Sequence, residues 1–267
     1  MHNKEFKLDF VGIGAQRSAT TWLAECLREH PEICLAHPKE LEFFSGERFK
    51  FGLEWYKKHF HIKKQNKVLG EFTSTYIYVP QAAERIKQVS PDVKIITCLR
   101  NPIDRHISHK MTKPLDRGLY YSHLKHYFDL FPRTNILVMI YEDIVKNPQA
   151  FISRVYSFIG VNPNFTPKSL DQIINPKKSY KLPFVKNSID KVINLIENSK
   201  IGVYIKKVLI KLGFRTLFYK IDKANTKQII KTELSAGERE KLKKFYQEDV
   251  RKLEQLLNRK LWSDISQ

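Results

Sequence analysis

Two segments of the chain combine small residues, hydroxyls and arginine in a way suited to holding an anion. The first is Gly12-Ile-Gly-Ala-Gln-Arg-Ser-Ala-Thr-Thr-Trp22. Arg17 supplies a guanidinium that forks onto phosphate or sulfate oxygens. Ser18, Thr20 and Thr21 supply hydroxyls and backbone N–H groups, and Ala19 lets the backbone come close to a ligand. The second is Arg100-Asn-Pro-Ile-Asp-Arg-His-Ile-Ser108. Arg100 and Ser108, eight residues apart, are placed to converge on one anionic group. Arg105 between them has two readings, a further ligand or the partner of a structural carboxylate. Three side chains are candidate general bases: Glu40, just ahead of Phe43-Phe44, and the histidines His37 and His109, histidine being the commonest residue in that role. Glu42 and Glu71 are further carboxylates with two readings, lining the cleft or, the favoured one, a surface or ion-paired role.

The elements that must carry these residues follow from apolar periodicity. Phe10–Gly14 reads as a short buried strand and Thr20–Glu29 as a helix with Trp22, Leu23, Cys26 and Leu27 on one face. His30-Pro31 stops that helix. Val68–Phe72 is a second strand, Pro80–Val89 a helix opened by proline, and 93–99 the clearest buried strand. A helix is expected over 103–111, a strand at Ile136–Ile140, and a helix capped by Asn147 ahead of Pro148. Strands alternating with helices predict an α/β fold, a parallel sheet flanked by helices. The first anion segment then joins strand to helix, where N–H groups and the helix dipole meet a ligand. Arg100 ends a central strand, on the ligand-binding edge of such a sheet.

Several function classes are excluded. No Gly-Lys-Ser/Thr triplet occurs, so the first segment is not a nucleoside-triphosphate loop, which weighs against a kinase. Arg17 stands where a dinucleotide fingerprint needs its third glycine. The formal net charge of +19 and pI near 9.7 favour an anionic partner. No helix-turn-helix, zinc-finger or RNA-recognition signature is present, so nucleic acid is not an expected partner. Cys26, Cys34 and Cys98 match no metal or redox spacing and read as reduced thiols. No run of 18 apolar residues occurs and residues 1–7 are polar, so a cytoplasmic protein is expected.

The C-terminal part, about 184–267, is expected to be helical and to pack on or cover the sheet. Residues 189–219 are basic with apolar periodicity. Two readings of the basic stretch 191–223 stay open: a helical lid, or a peripheral docking face for an anionic membrane bearing a lipid-linked acceptor. Ser235-Ala-Gly-Glu238 is a capping box opening a helix whose stripe is Leu242, Phe245, Tyr246, Val250, Leu253, Leu256 and Leu257.

Together these residues resemble the sulfotransferases. Gly14-Ala-Gln-Arg-Ser-Ala-Thr-Thr-Trp-Leu23 is similar to their 5′-phosphosulfate loop, and Arg100 to Ser108 to their 3′-phosphate motif. His30-Pro31, Lys39-Glu-Leu-Glu-Phe-Phe44 and Trp55-Tyr56 resemble the heparan-sulfate-type branch and its bacterial relatives. The resemblance implies a P-loop-like parallel sheet in one sulfotransferase domain over 1–267. It implies 3′-phosphoadenosine 5′-phosphosulfate as donor, adenosine 3′,5′-bisphosphate as product, and no metal. Arg17, helped by Ser18, Ala19, Thr20, Thr21 and Trp22, would hold the 5′-phosphosulfate, and Arg100 and Ser108 the 3′-phosphate. Glu40 falls on the general base, with His109 the rival. The acceptor implied is a hydroxyl or amine of a carbohydrate or glycolipid, with a small-molecule alcohol as the alternative. Three positions depart from the pattern. Arg17 replaces lysine, and Ala19 replaces glycine, which leads us to expect a loop without positive φ at that residue. Phe72 stands where some glycan sulfotransferases carry a lysine. A donor contact from Lys178 is a further expectation.

Overall fold

The computed structural model describes residues 6–109, 114–171, 179–180, 226–227 and 234–266. The strands are β1 (Phe10–Gly14), β2 (Ile33–Leu35), β3 (Val68–Phe72), β4 (Lys94–Leu99) and β5 (Ile136–Ile140). The helices are α1 (Thr20–Glu29), α2 (Gly52–Lys57), α3 (Pro80–Val89), α4 (Pro102–Ser108), α5 (Tyr120–Leu130), α6 (Tyr141–Lys146), α7 (Pro148–Ile159), α8 (Ala236–Leu257) and α9 (Ser263–Ser266). The five strands form one sheet in the order β2-β3-β1-β4-β5, every neighbouring pair parallel. This is the predicted α/β architecture. The chain divides into two compact units, Met1–Ile174 with Thr232–Gln267, and Asn175–Lys231. Of the second, the antiparallel pair Ser179–Tyr180 and Thr226–Lys227 is described. Lys178 and the stretches 189–219 and 191–223 lie outside the described residues. Among the described residues no helix is long and apolar enough to cross a membrane.

The near-continuous apolar runs of β1, β4 and β5 follow from burial on both faces, as parallel sheets require. On one face, α1 and α7 bring Trp22, Leu23, Cys26 and Leu27 together with Phe151, Val155 and Tyr156 over Phe10, Ile96 and Met139. On the other, α3 and α5 set Ala82, Ile86, Leu124 and Tyr127 over Val11, Ile13, Ile95 and Leu99. The connection after β1 thus packs on one face and those after β3 and β4 on the other, so winding reverses at β1, which is where such sheets bind ligands. All three cysteines are buried free thiols, and burial raises the Cys26 thiol to about 12.

At α8 the capping box forms: the Ser235 hydroxyl accepts the Glu238 N–H at 3.3 Å, and the Glu238 carboxylate accepts the Ser235 N–H at 2.9 Å. Tyr246, Val250 and Leu253 are buried as expected, but Phe245 is 45% exposed. One residue off the i, i+4, i+7 line turns it about 100° from the core. The Asp249 carboxylate accepts the first N–H groups of α5, from Tyr121 at 2.9 Å and Ser122 at 3.1 Å. The Trp262 indole donates to Glu142 at 3.2 Å, and Glu142 accepts the Asn101 N–H at 3.0 Å. The C-terminal helices thereby brace the turn that follows Arg100.

Gly12 pairs with Phe72 across β1 and β3. A Cβ on Gly12 would lie 2.2 Å from a carbon of the buried Phe72 ring, so only glycine fits the ring against the strand. Gly12→Ala is expected to destabilise the protein by about 1–3 kcal/mol through overpacking. In a Phe72→Leu background the same change should cost measurably less. Urea denaturation of the four proteins checks this; equal costs in both backgrounds would show that the ring is not the obstacle.

Candidate active site

Parallel strands deliver all their following loops to one edge. The loop after β1 (15–19), the turn after β3 (73–75) and Arg100 after β4 therefore emerge side by side. Glu40 joins them because its N–H donates to the Phe72 carbonyl at 3.1 Å.

The first loop is pinned to β4 by the Ala15 N–H, which donates to the Cys98 carbonyl at 2.9 Å. Arg17 and Ala19 are both left-handed, at φ 69° and 59°. The expectation that Ala19 avoids positive φ is overturned. The chain must reverse into α1 directly after β1, and alanine bears a left-handed cost of about 1–2 kcal/mol that glycine would not. Alternation of left-handed and ordinary residues turns successive N–H groups to one side, the geometry of an anion nest. No side chain caps α1, and its first turn holds no acidic residue. The positive end of its dipole is therefore uncompensated. The Ser18 hydroxyl is fully buried and has no hydrogen-bond partner among the described residues. Such an orphan, beside an uncapped helix start, fits an anionic ligand.

Arg17 is exposed, and its carbonyl accepts from the Arg100 guanidinium at 3.4 Å. Arg100 lies over the Tyr141 ring at 4.5 Å, and the Tyr120 hydroxyl donates to its carbonyl at 2.8 Å. The structure thus brings the two predicted anion segments together through Arg17 and Arg100. Ser108 closes α4, half-buried, and His109 caps that helix, buried. Thr20 is buried and Thr21 half-buried in the first turn of α1. The Trp22 side chain points elsewhere. Its indole donates to the Ser169 carbonyl at 3.0 Å and packs on Phe151, so the side chain takes no part in the loop. Among the described residues no carboxylate pairs with Arg105, which leaves the structural-carboxylate reading without support.

Glu40 is half-buried and left-handed at φ 63°, and Glu42 likewise at φ 53°. The Glu40 carboxylate accepts the Ser74 N–H at 2.8 Å and the Ser74 hydroxyl at 2.8 Å, and it pairs with Lys39. The Lys39 ammonium also lies 5.8 Å over the Phe72 ring. A cation therefore sits above the Phe72 ring, delivered from a different place in the chain. Sequence reasoning missed Ser74 as the residue that orients Glu40; the signal was the hydroxyl run Thr73-Ser74-Thr75 directly after a strand. His37 is exposed and lies 3.5 Å from the Arg28 guanidinium.

Glu71 contradicts the expectation of a surface or ion-paired carboxylate. It is 1% exposed and accepts hydroxyls from Tyr56, Tyr76 at 2.6 Å and Thr73 at 2.7 Å. Those hydroxyls also hold the Glu40 segment. Tyr76 accepts the Phe44 N–H at 3.2 Å, and Thr73 accepts the Glu42 N–H at 3.3 Å. Burial pushes the Glu71 carboxyl above its ordinary value; the three hydroxyls oppose the shift and the Glu40 charge adds to it.

The chain belongs to the sulfotransferase-domain family, whose model matches residues 8–113 and 109–200. Human heparan sulfate glucosamine 3-O-sulfotransferase 6 is 30% identical over 183 residues, 58% of this chain and 53% of that protein. The membrane-associated sulfotransferase kil1 of Dictyostelium discoideum is 36% identical over 103 residues, 38% of this chain and 22% of that protein. The chain thus spans about half the length, or less, of these curated relatives. The solved sulfotransferase from Alicyclobacillus acidocaldarius superposes with a TM-score of 0.67 at 21% identity, covering 98% of this chain and 100% of that one. That likeness shows the fold.

The Glu71 shift carries a sign for stability. A carboxyl whose folded pKa lies above its unfolded one holds its proton longer when folded. Its contribution is therefore complete below the ordinary value of 4.5 and is lost as pH rises through the raised folded value. The stability of wild type relative to Glu71→Gln should fall as pH rises from 4.5. Denaturation of both proteins at a series of pH values measures it; a pH-independent difference would show equal ionisation in the folded and unfolded chains.

Proposed function

We propose that the protein transfers a sulfuryl group from 3′-phosphoadenosine 5′-phosphosulfate to a hydroxyl or amine of a carbohydrate or glycolipid. The observation that carries this is the uncapped α1 start, with Ser18 orphaned beside Arg17 and Arg100, facing the same sheet edge as a carboxylate fixed by Ser74. An anion cradle and a positioned proton acceptor, with no triphosphate-binding lysine motif, suit sulfuryl transfer. The heparan sulfate 3-O-sulfotransferase relatives support a glycan acceptor.

The donor brings an activated sulfuryl group. Arg17 and the N–H groups of residues 18–22 would hold its 5′-phosphosulfate, and Arg100 and Ser108 its 3′-phosphate. Oriented donors aimed where negative charge builds on the leaving phosphate lower the barrier. Glu40 accepts the acceptor's proton as its oxygen or nitrogen forms a bond to sulfur. The Ser74 hydrogen bonds and Lys39 hold the Glu40 carboxylate in one orientation before the acceptor arrives.

Calorimetric titration with adenosine 3′,5′-bisphosphate beside ATP tests the donor site. Wild type is expected to prefer the bisphosphate, and Arg100→Ala to bind it about 10- to 100-fold more weakly, the scale of a lost charged hydrogen bond. Equal binding of ATP and bisphosphate would overturn the donor assignment. Glu40→Gln is expected to lower transfer from labelled donor to a glycan panel by about 10²–10⁴-fold while leaving bisphosphate affinity intact. Retained turnover would move the base to His109.

A further inference from the structure

Arg105 lies in the middle of α4 with its side chain fully buried. Among the described residues none of its three guanidinium nitrogens reaches good hydrogen-bond geometry, and the polar side chain that it lies against is the neutral Tyr246 hydroxyl rather than an anion. The groups that feel its charge are three phenols and the histidines His106 and His123, and none of these is an anion that could neutralise it. Burial raises Tyr78, Tyr120 and Tyr246, and the Arg105 charge pulls each of them back. The Tyr246 hydroxyl donates a hydrogen bond to the Leu115 carbonyl at 3.0 Å, and the Tyr120 hydroxyl donates one to that of Arg100 at 2.8 Å. Asp116 acts on Tyr78 and Tyr246 as well, but it is exposed and screened by water. A buried guanidinium in this state is costly, because it has given up water without gaining an anion.

The phenol cage is joined to the proposed donor cradle. Tyr120 holds the Arg100 carbonyl. Arg117 lies 4.9 Å over the Tyr78 ring and donates to the Gln16 side chain at 2.7 Å, next to Arg17. Ser108 follows Arg105 by one helical turn. We propose that Arg105 is a buried positioning charge whose counter-ion is the donor itself: its unmatched charge strains the empty protein and is matched when an adenosine bisphosphate fills the Arg17–Arg100–Ser108 cradle. This rests on the donor reading above. Because Arg105 is sealed from solvent, its field reaches the bound phosphates through protein rather than water and is weakly screened.

Arg105→Met keeps the length of the side chain and removes the charge. The empty variant should be more stable than wild type in urea. It should bind adenosine 3′,5′-bisphosphate about tenfold more weakly, the scale of losing one weakly screened charge near the ligand. Its loss for adenosine 5′-monophosphate, which lacks the 3′-phosphate beside Ser108, should be smaller. Arg105→Lys, which retains a charge, should keep more of the bisphosphate affinity than the methionine variant. An arginine that merely builds the fold gives the opposite pattern: an empty Met variant that is less stable or unfolded, or one with wild-type bisphosphate affinity. Either result overturns the inference while leaving the donor site standing. Failure of wild type itself to bind the bisphosphate overturns the donor reading and this inference with it.

Discussion

The contact between the Phe72 ring and the bare backbone of Gly12 sets the spacing on which the site depends. The absence of a side chain at Gly12 lets β3 lie flush against β1 with a buried aromatic at the seam. One residue further on, the Thr73 N–H donates to the Gly12 carbonyl at 3.0 Å, and the Phe72 carbonyl receives the Glu40 N–H at 3.1 Å. A single residue thus locks the seam with its ring and holds the candidate base with its carbonyl. The loop carrying Arg17 leaves the adjacent strand at the same level. The distance between the proposed anion cradle and the candidate base is therefore fixed by sheet register, which is stiff, rather than by loop packing, which is not.

Backbone strain gathers around that seam. Of the non-glycine residues with positive φ, Arg17, Ala19, Glu40 and Glu42 lie in the two facing loops, and only Asn258 lies elsewhere among the described residues. Each costs about 1–3 kcal/mol and persists only where neighbours over-determine it. Around Glu40 and Glu42 the neighbours are the hydroxyls gathered by Glu71, which bind the N–H groups of Glu42 and Phe44. A buried carboxylate thereby stabilises a turn that carries the half-buried Glu40 and the buried Leu41, Phe43 and Phe44. In the Arg17 loop no comparable set of side-chain bonds occurs among the described residues, and Ser18 remains unmatched. That asymmetry separates a loop held by the protein's own side chains from one that the proposed donor would complete.

How much of this was legible in the sequence depended on whether a feature was local. β1, β3, β5, α1, α3 and α7 carry apolar runs or clean helical stripes, and their bounds could be read directly. β2 is three residues long and follows His30-Pro31 too closely to show a period. α5 hides its buried Tyr120, Leu124 and Tyr127 among other aromatics and histidines, and its start is capped by Asp249 from far along the chain. The anion segments were visible because each is contiguous. Ser74 under Glu40, the hydroxyl cage of Glu71 and the isolation of Arg105 were not, because each arises from strands that become neighbours only through the β2-β3-β1-β4-β5 order. Ala19 misled for a different reason: composition states which residue would be cheapest in a left-handed turn, whereas the fold decides whether that turn is taken.

The same strand order distributes charge across the edge. Glu71 and Glu40 belong to the β3 side, whereas Arg100 and Arg105 follow β4, with β1 and its uncapped helix between them. Two carboxyl groups facing donor phosphates at short range would weaken donor binding. Placing them one strand beyond β1 keeps the repulsion low, and Lys39, paired with Glu40 above Phe72, offsets part of it. The opposite side gathers arginines, and among the described residues no acid pairs with Arg105. An acceptor hydroxyl would thus meet negative charge on the side where its proton departs, while the leaving phosphate meets positive charge on its own side. Such a fixed gradient favours charge moving in one direction during transfer, and it is built from groups whose positions the sheet determines before any ligand binds.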